Sequence, residues 1–142
     1  MGRLKIQLPE KILTSVFIPV RITDINYGNH VGNNSIVEII HEARVQFLKK
    51  YHFTELNAGG TALIMSELLV EFKNESFYND VLQVKVFGGE ISRVAFELFY
   101  QLSVKRNEQE IIIANAKTGM VCYDYQVRKV VAIPEVLKSV LG

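Results

Sequence analysis

Apolar and polar positions alternate most regularly between Val94 and Val104. Val94, Phe96, Leu98, Tyr100, Leu102 and Val104 fall on one side, the period of a strand with one buried face. A different spacing governs the first third of the chain. Ile36, Ile39, Ile40, Ala43 and Phe47 recur at helical intervals and predict an amphipathic helix running to about Tyr51. Ser35 followed by Glu38 reads as a capping box at its start, and Lys49 and Lys50 suit the dipole at its end. Further strands are predicted over 12–21, 61–73, 81–87 and 110–125, with Leu82, Val84 and Val86 sharing a face. Pro19 marks an edge or a bulge, residues 57–60 a turn, Gly88-Gly89 a hairpin, and Gly119 a bulge. Residues 106–108 turn the chain back, and Pro134 opens a short helix to Leu141.

The order is strand, helix, then four strands joined by short turns, with no repeat and no linker. A single domain over 1–142 is expected, of α+β class, with the long helix packed on the concave face of an antiparallel sheet. The helix is apolar over more surface than one sheet covers, which predicts a homodimer or homotetramer.

Composition narrows the function classes. Of 142 residues, 49% are apolar, enough for a core without disulfides. The lone Cys122 excludes an intramolecular disulfide and a cysteine zinc cluster, and its predicted strand makes it a small core residue rather than a nucleophile. A net charge of +1 leaves no electrostatic footprint for nucleic acid. No apolar run reaches the length of a membrane span, the first eleven residues hold no signal-peptide core, and Ile6 stands where a myristoylation pattern needs Ser or Thr. A cytoplasmic protein is expected. No cluster of His, Cys and carboxylates has ligand spacing, so neither metal nor cofactor is expected.

The chemistry concentrates in Asp24 to Arg44, DINYGNHVGNNSIVEIIHEAR. A polar loop there delivers side chains and orphan N–H groups to a helix N-terminus, which suits a developing oxyanion. Within it, His30 is a candidate for orienting water or, as a neutral imidazole, for polarising a carbonyl. Asn26 is a candidate for holding water or a carbonyl through its amide. Gly32, Asn33 and Asn34 supply the backbone at the helix start, and the N–H of Asn33 is the better oxyanion donor than its side chain. The side chains of Asn29, Asn33 and Asn34 are assigned to turns and the cap. Glu75, in the polar and aromatic connection 74–80, is the leading carboxylate and is expected to be partly buried. Glu38 and Glu42, one helical turn apart, are a weaker alternative. Arg44 falls by helical phase beside Val37, Ile40 and Leu48, and is expected to be buried and to tie down the loop through Asp24.

The run DINYGNHVGNN, followed by AR at residues 43–44, fits a D-x-(D/N) loop leading into a helix. With the order of elements over 12–125, it resembles the hotdog-fold acyl-CoA thioesterases of the 4-hydroxybenzoyl-CoA thioesterase-like family. The resemblance implies a hotdog fold, a long central helix wrapped by an antiparallel sheet. It implies hydrolysis of an acyl-CoA or acyl-ACP thioester without metal or cofactor, at sites on a dimer interface by the N-terminus of the central helix. Asp24 matches the first aspartate of the family, but Asn26 stands where many members carry the catalytic one, and an asparagine is no base. The NHVGNN segment also resembles plant acyl-ACP thioesterases, which places Glu75 on an assisting glutamate and Gly28 where that group has an asparagine. On this reading Glu75 activates water, Asn26 and His30 position it, the Asn33 N–H holds the oxyanion, and Asp24 and Arg44 support the loop. Met65 and Leu68 are expected to wall the pocket with residues from a second subunit. Two rivals stand beside it: an acyl-thioester binding module that has lost its base, which Asn26 favours, and a hotdog hydratase or dehydratase, whose phenylalanine-proline pattern is missing around His30.

Overall fold

The computed structural model describes residues 5–142; the first four of the eleven residues read for a signal-peptide core therefore lie outside the described residues. Six strands, β1 (Ile12–Pro19), β2 (Ala62–Phe72), β3 (Val81–Ile91), β4 (Ala95–Arg106), β5 (Gln109–Asp124) and β6 (Lys129–Val130), form one antiparallel sheet. The helices are α1 (Asn33–Lys49) and α2 (Glu135–Leu141). The sheet runs β1-β3-β4-β5-β2, with β6 paired to the end of β5. Thus β1 and β2, adjacent in sequence, are the two edges, and α1 carries the chain from one edge to the other across the sheet.

The periodicities explain the core. Ile36, Ile39, Ile40, Ala43 and Phe47 of α1 are all buried, in one cluster with Leu82, Val84 and Val86 of β3 and the alternating apolar side of β4. Phe47 is fully buried and meets Tyr51 edge-on, with ring centroids 5.7 Å apart. Truncating it leaves a void against both layers. Phe47→Ala is therefore expected to lower unfolding free energy by ~3–5 kcal/mol, read as an earlier midpoint in urea; a loss under ~1 kcal/mol would mean that the helix is not seated as described.

Three expectations are corrected. Gly88 and Gly89 lie inside β3, and the hairpin turn falls at residues 92–95, where Ser92 and Ala95 exchange backbone and hydroxyl hydrogen bonds. The glycines serve a bulge instead: Gly88 pairs with Leu98 and Ile91 with Phe96, so Gly89 and Glu90 together oppose Glu97. A Cβ on Gly89 would lie 2.7 Å from Phe99 Cε1, and one on Gly88 3.0 Å from the Leu141 carbonyl, where α2 closes on the sheet. The bulge expected at Gly119 belongs to the facing strand. Met65 pairs with Met120 and Glu67 with Gly119, so Ser66 is the extra residue, and its hydroxyl donates to the Gly119 carbonyl at 3.2 Å. This step keeps Leu63, Met65 and Leu68 on one face, opposite Cys122, Met120 and Thr118, all buried. Finally, α1 begins at Asn33 with Gly32 as its cap, and Ser35 and Glu38 form no capping box. Among the described residues no helix is long and apolar enough to cross a membrane.

Candidate active site

The loop before α1 is a miniature hairpin. Ile25 bridges to Val31, the Asn26 N–H donates to the His30 carbonyl at 2.9 Å, and the Asn29 N–H to the Asn26 carbonyl at 3.1 Å. Asn29 sits at φ 65°, a left-handed position that asparagine tolerates. The Asn26 side-chain oxygen accepts from the Gly28 N–H at 2.8 Å and more distantly from that of His30. Asn26 thus builds the turn. A Cβ on Gly28 would stand 3.2 Å from that oxygen and 3.4 Å from the His30 ring, so glycine leaves room for both.

Buried Asp24 anchors the hairpin's base. Its carboxylate accepts from the Arg21 N–H at 2.8 Å and pairs with the Arg21 guanidinium, and its carbonyl takes the Gly32 N–H at 3.0 Å. Gly32 is therefore committed to the loop. The next N–H groups, at Asn33 and Asn34, belong to the first turn, which has no intrahelical acceptors, and no side chain caps them. Gly32 also makes room for Asn34, whose side-chain oxygen would stand 2.9 Å from a Cβ at that position.

His30 Nδ1 lies 3.1 Å from the Val31 carbonyl. A carbonyl only accepts, so Nδ1 carries the proton, and in the neutral ring Nε2 is an acceptor. This corrects one expectation: a neutral His30 held this way cannot donate to a carbonyl, but it can accept from water.

The connection 74–80 lies against this loop. The Val31 N–H donates to the Ser76 carbonyl at 2.8 Å, and the Val20 N–H to that of Asp80 at 2.9 Å. Arg106 fastens it from β4, donating to the Glu75 carbonyl at 3.1 Å and to the Asp80 carboxylate at 2.6 Å, with its guanidinium 5.0 Å from the Phe77 ring centre. Asp80 further accepts from the Ser76 hydroxyl and the Phe77 N–H, both at 2.9 Å. Burial pushes the Asp80 carboxyl up, but Arg106 and these donors outweigh it and hold the group below the ordinary carboxylate range. A depressed folded pKa gives stability that is complete above the unfolded value of about 3.9 and is lost as pH falls from there through the folded one. Asp80→Asn should accordingly flatten part of the acid limb of a stability–pH curve below pH ~4; an unchanged limb would mean that Asp80 is not what fastens the loop.

These pieces enclose a cleft of about 210 Å3 bordered by His30, Val31, Asn33, Ile36, Glu75 and Ser76, among others. Of the residues named from the sequence, His30, Asn33 and Glu75 share it; Asn26, Gly32, Asn34 and Asp24 stand behind it as framework. The Glu75 side chain is exposed rather than partly buried. Glu38 and Glu42 line a larger cleft, about 490 Å3, between β1 and the other flank of α1, and no residue of the helix's first turn borders it. Burial pushes the Cys122 thiol up, away from the thiolate, as its core role requires.

Arg44 is 4% exposed, as its phase predicts, but its partner is not Asp24. Its Nε–H donates to Glu55 at 3.0 Å and Nη1 to the Tyr100 hydroxyl at 3.3 Å, and Tyr100 in turn meets the Thr118 hydroxyl at 2.7 Å. His41 closes the group on the other Glu55 oxygen. Burial pushes Glu55 up, yet Arg44 and His41 hold it below the ordinary carboxylate range; burial, with the Glu55 charge adding to it, keeps Tyr100 above its usual value and neutral. Glu55 and Arg106 are the two residues that sequence reasoning missed. Each acts over long separations, with no local spacing to mark it.

The described residues hold no group of three or more His, Cys, Asp or Glu placed to bind a metal. Solved structures of similar shape include PA2801 of Pseudomonas aeruginosa, described as a candidate thioesterase, at 17% identity, covering 93% of this chain and 100% of that one, with TM-score 0.83. They include Slr0204, a 1,4-dihydroxy-2-naphthoyl-CoA thioesterase from Synechocystis, at 23% identity, 89% and 93% coverage and TM-score 0.79. A mutant 4-hydroxybenzoyl CoA thioesterase complexed with 4-hydroxybenzoyl CoA aligns at 14% identity, 91% and 98% coverage and TM-score 0.81. Such likenesses show the fold, and the hotdog architecture implied by the loop motif is the one observed. No curated protein matches in sequence. The family model described as the thioesterase-like superfamily matches residues 20–141, from the end of β1 through α2, and to that superfamily the chain belongs.

Proposed function

We propose that this chain hydrolyses acyl-CoA thioesters to free acid and thiol in the cleft at the N-terminus of α1. The observation that carries the reading is the sharing of that cleft by Asn33, with its uncommitted N–H, and by His30 and Glu75. The thioester carbonyl docks against the first turn of α1. Glu75 removes a proton from water that His30 Nε2 helps to orient. The hydroxide adds to the carbonyl carbon, and the charge gathering on oxygen is met by the Asn33 N–H and the helix dipole. The tetrahedral intermediate then expels the thiolate, a fair leaving group with an ordinary pKa near ~8.5, and the proton held by Glu75 returns to sulfur. Asn26 contributes through the turn it builds. Two proteins of similar fold are named for CoA esters, which supports CoA over a carrier protein.

We place a second copy of the chain along β2, whose outer edge pairs with no other strand within the described residues beyond the Leu63 N–H, taken by the Glu55 carbonyl at 2.7 Å, and is flanked by exposed Met65, Phe72 and Leu56. Pairing there would cover these side chains and wall the site from both subunits. One assay tests both statements: release of free thiol from a panel of acyl-CoA and acyl-carrier-protein esters, run beside sedimentation. Expected are turnover of acyl-CoA, slower turnover of the carrier-protein esters, and a dimer or tetramer at micromolar concentration. A stable monomer would sink the shared site. Tight ester binding without thiol release would establish the rival reading of a binding module, which Asn26 favours because its amide is bound into a turn rather than aimed at substrate.

A further inference from the structure

Further along α1, the helix and β2 border a second, half-open pocket of about 330 Å3. Val37, Ile40, Leu63, Met65 and Leu68 give it apolar walls, and Arg44 and Glu55 form a polar end. The two spaces follow one another along the same elements. Ile36 and Phe72 border the first; Val37, the next residue of the helix, and Leu68, four positions back along β2, border the second, with no residue common to both. The buried guanidinium is incompletely used. It has five N–H donors; one reaches Glu55 and one Tyr100, and Nη2, which meets no acceptor among the described residues, is not sealed from solvent. Tyr100 cannot supply one, because its oxygen accepts from Arg44 and its proton is left for Thr118. Glu55 is engaged on both oxygens, by Arg44 and by His41.

We propose that this cavity takes the far end of the acyl group and that Arg44 there selects a neutral oxygen acceptor, a hydroxyl or keto group. The proposal rests on the thioesterase reading and adds the substrate class. A plain hydrocarbon end seated there would take Arg44 Nη2 out of water and offer it no acceptor, and sites built to hydrogen-bond a substrate oxygen discriminate strongly against analogues that lack it. A terminal carboxylate is disfavoured for the opposite reason: Glu55 already balances the charge of Arg44, and a second anion would face Glu55 across the same pocket. From Asn33, where the carbonyl docks, to Arg44 the helix rises roughly 16 Å, at ~1.5 Å per residue, and a helical side chain leans back toward the N-terminus, a long arginine by roughly 5 Å. The oxygen therefore stands roughly 11 Å from the reacting carbonyl, the reach of a medium-length acyl chain.

The test compares kcat/KM for octanoyl-CoA, 8-hydroxyoctanoyl-CoA and the thioester of the matching dicarboxylic acid, with acetyl-CoA as an ester too short to reach the cavity. The hydroxy ester should be preferred over octanoyl-CoA by ~10-fold or more, the effect of one hydrogen bond from a charged donor. Arg44→Met should bring that ratio to about one. Loss of Arg44 strands Glu55 and Tyr100; should that variant not fold, Met65→Trp fills the pocket from its open wall and should cut the ratio of 8-hydroxyoctanoyl-CoA to acetyl-CoA turnover by ~10-fold. Octanoyl-CoA used as well as the hydroxy ester, a dicarboxylic ester used best, or a preference that persists in Arg44→Met or Met65→Trp overturns the proposal while leaving hydrolysis intact. Failure to hydrolyse any ester, acetyl-CoA included, overturns the thioesterase reading and this inference with it.

Discussion

Glu75→Gln is expected to lower kcat by ~100-fold or more with the melting transition unmoved. The substitution keeps the shape and removes the basicity. The fold should not notice, because the side chain is exposed and the loop is held by its backbone: the Glu75 carbonyl on Arg106 and the Ser76 carbonyl on Val31. A companion variant separates base from bystander. The Asn26 side chain reaches toward Gly32, with Nδ2 3.9 Å from where a Cβ there would lie, so Asn26→Asp can keep the turn with one oxygen and bring the other beside the helix start. Asn26→Asp should restore part of the turnover lost in Glu75→Gln. Glu38→Gln and Glu42→Gln should cost far less, since both residues line the other flank of α1. Full activity in Glu75→Gln together with loss in Glu42→Gln would move the reaction to that flank and end the assignment made here.

Asn33→Pro should be nearly as damaging, by a route that leaves every side chain of the cleft but one in place. Proline at the first helical position is well tolerated, because the N–H it lacks has no intrahelical partner. The preceding residue must be extended, and Gly32 already is, at φ −71° and ψ 156°. The helix should therefore form as before while the oxyanion donor disappears. Losing one such donor costs about 10²–10³ in kcat. Asn33→Ala is the control, since it removes the side chain and keeps the N–H, and it should stay within a few-fold of wild type. Equal losses in Asn33→Pro and Asn33→Ala would show that the side chain, not the backbone, does the work.

Strong periodicity made much of the fold legible. The alternation from Phe96 to Val104 and the helical stripe of α1 each identify their buried faces, because burial of those faces is what selects the pattern; Val94, named with the first set, falls in the turn before β4 and is half-buried. Local signals were weaker where two structures satisfy them. Ser35 and Glu38 have capping-box spacing, but the Asp24 carbonyl fixes Gly32 and starts the helix earlier, which carries Ser35 into the buried face. Gly88-Gly89 has the composition of a turn, yet the same absence of Cβ lets a bulge pass beneath Phe99 and Glu97. For the site, the motif identified the loop and the helix end. The partner of Arg44 was out of reach: Glu55 is eleven positions away, in a loop with no pattern, and only the folded chain brings it there.

The extra residue at Ser66 gives β2 a property that reads like punctuation in its gene. Ahead of it the inward residues are odd-numbered, Leu63 and Met65; after it they are even-numbered, beginning with Leu68. Removing the Ser66 codon would only straighten the strand: Glu67 would still oppose Gly119 and Leu68 would still oppose Thr118, so no side chain would change face. Removing the Leu69 codon, in the regular run beyond, would with the ladder kept set Glu71 opposite Ala116 and turn Phe72 away from the first cleft. A one-residue gap is therefore neutral at Ser66 and not neutral at Leu69. Among related chains, a gap in that later run would signal a differently lined interior more surely than a substitution at any single wall position.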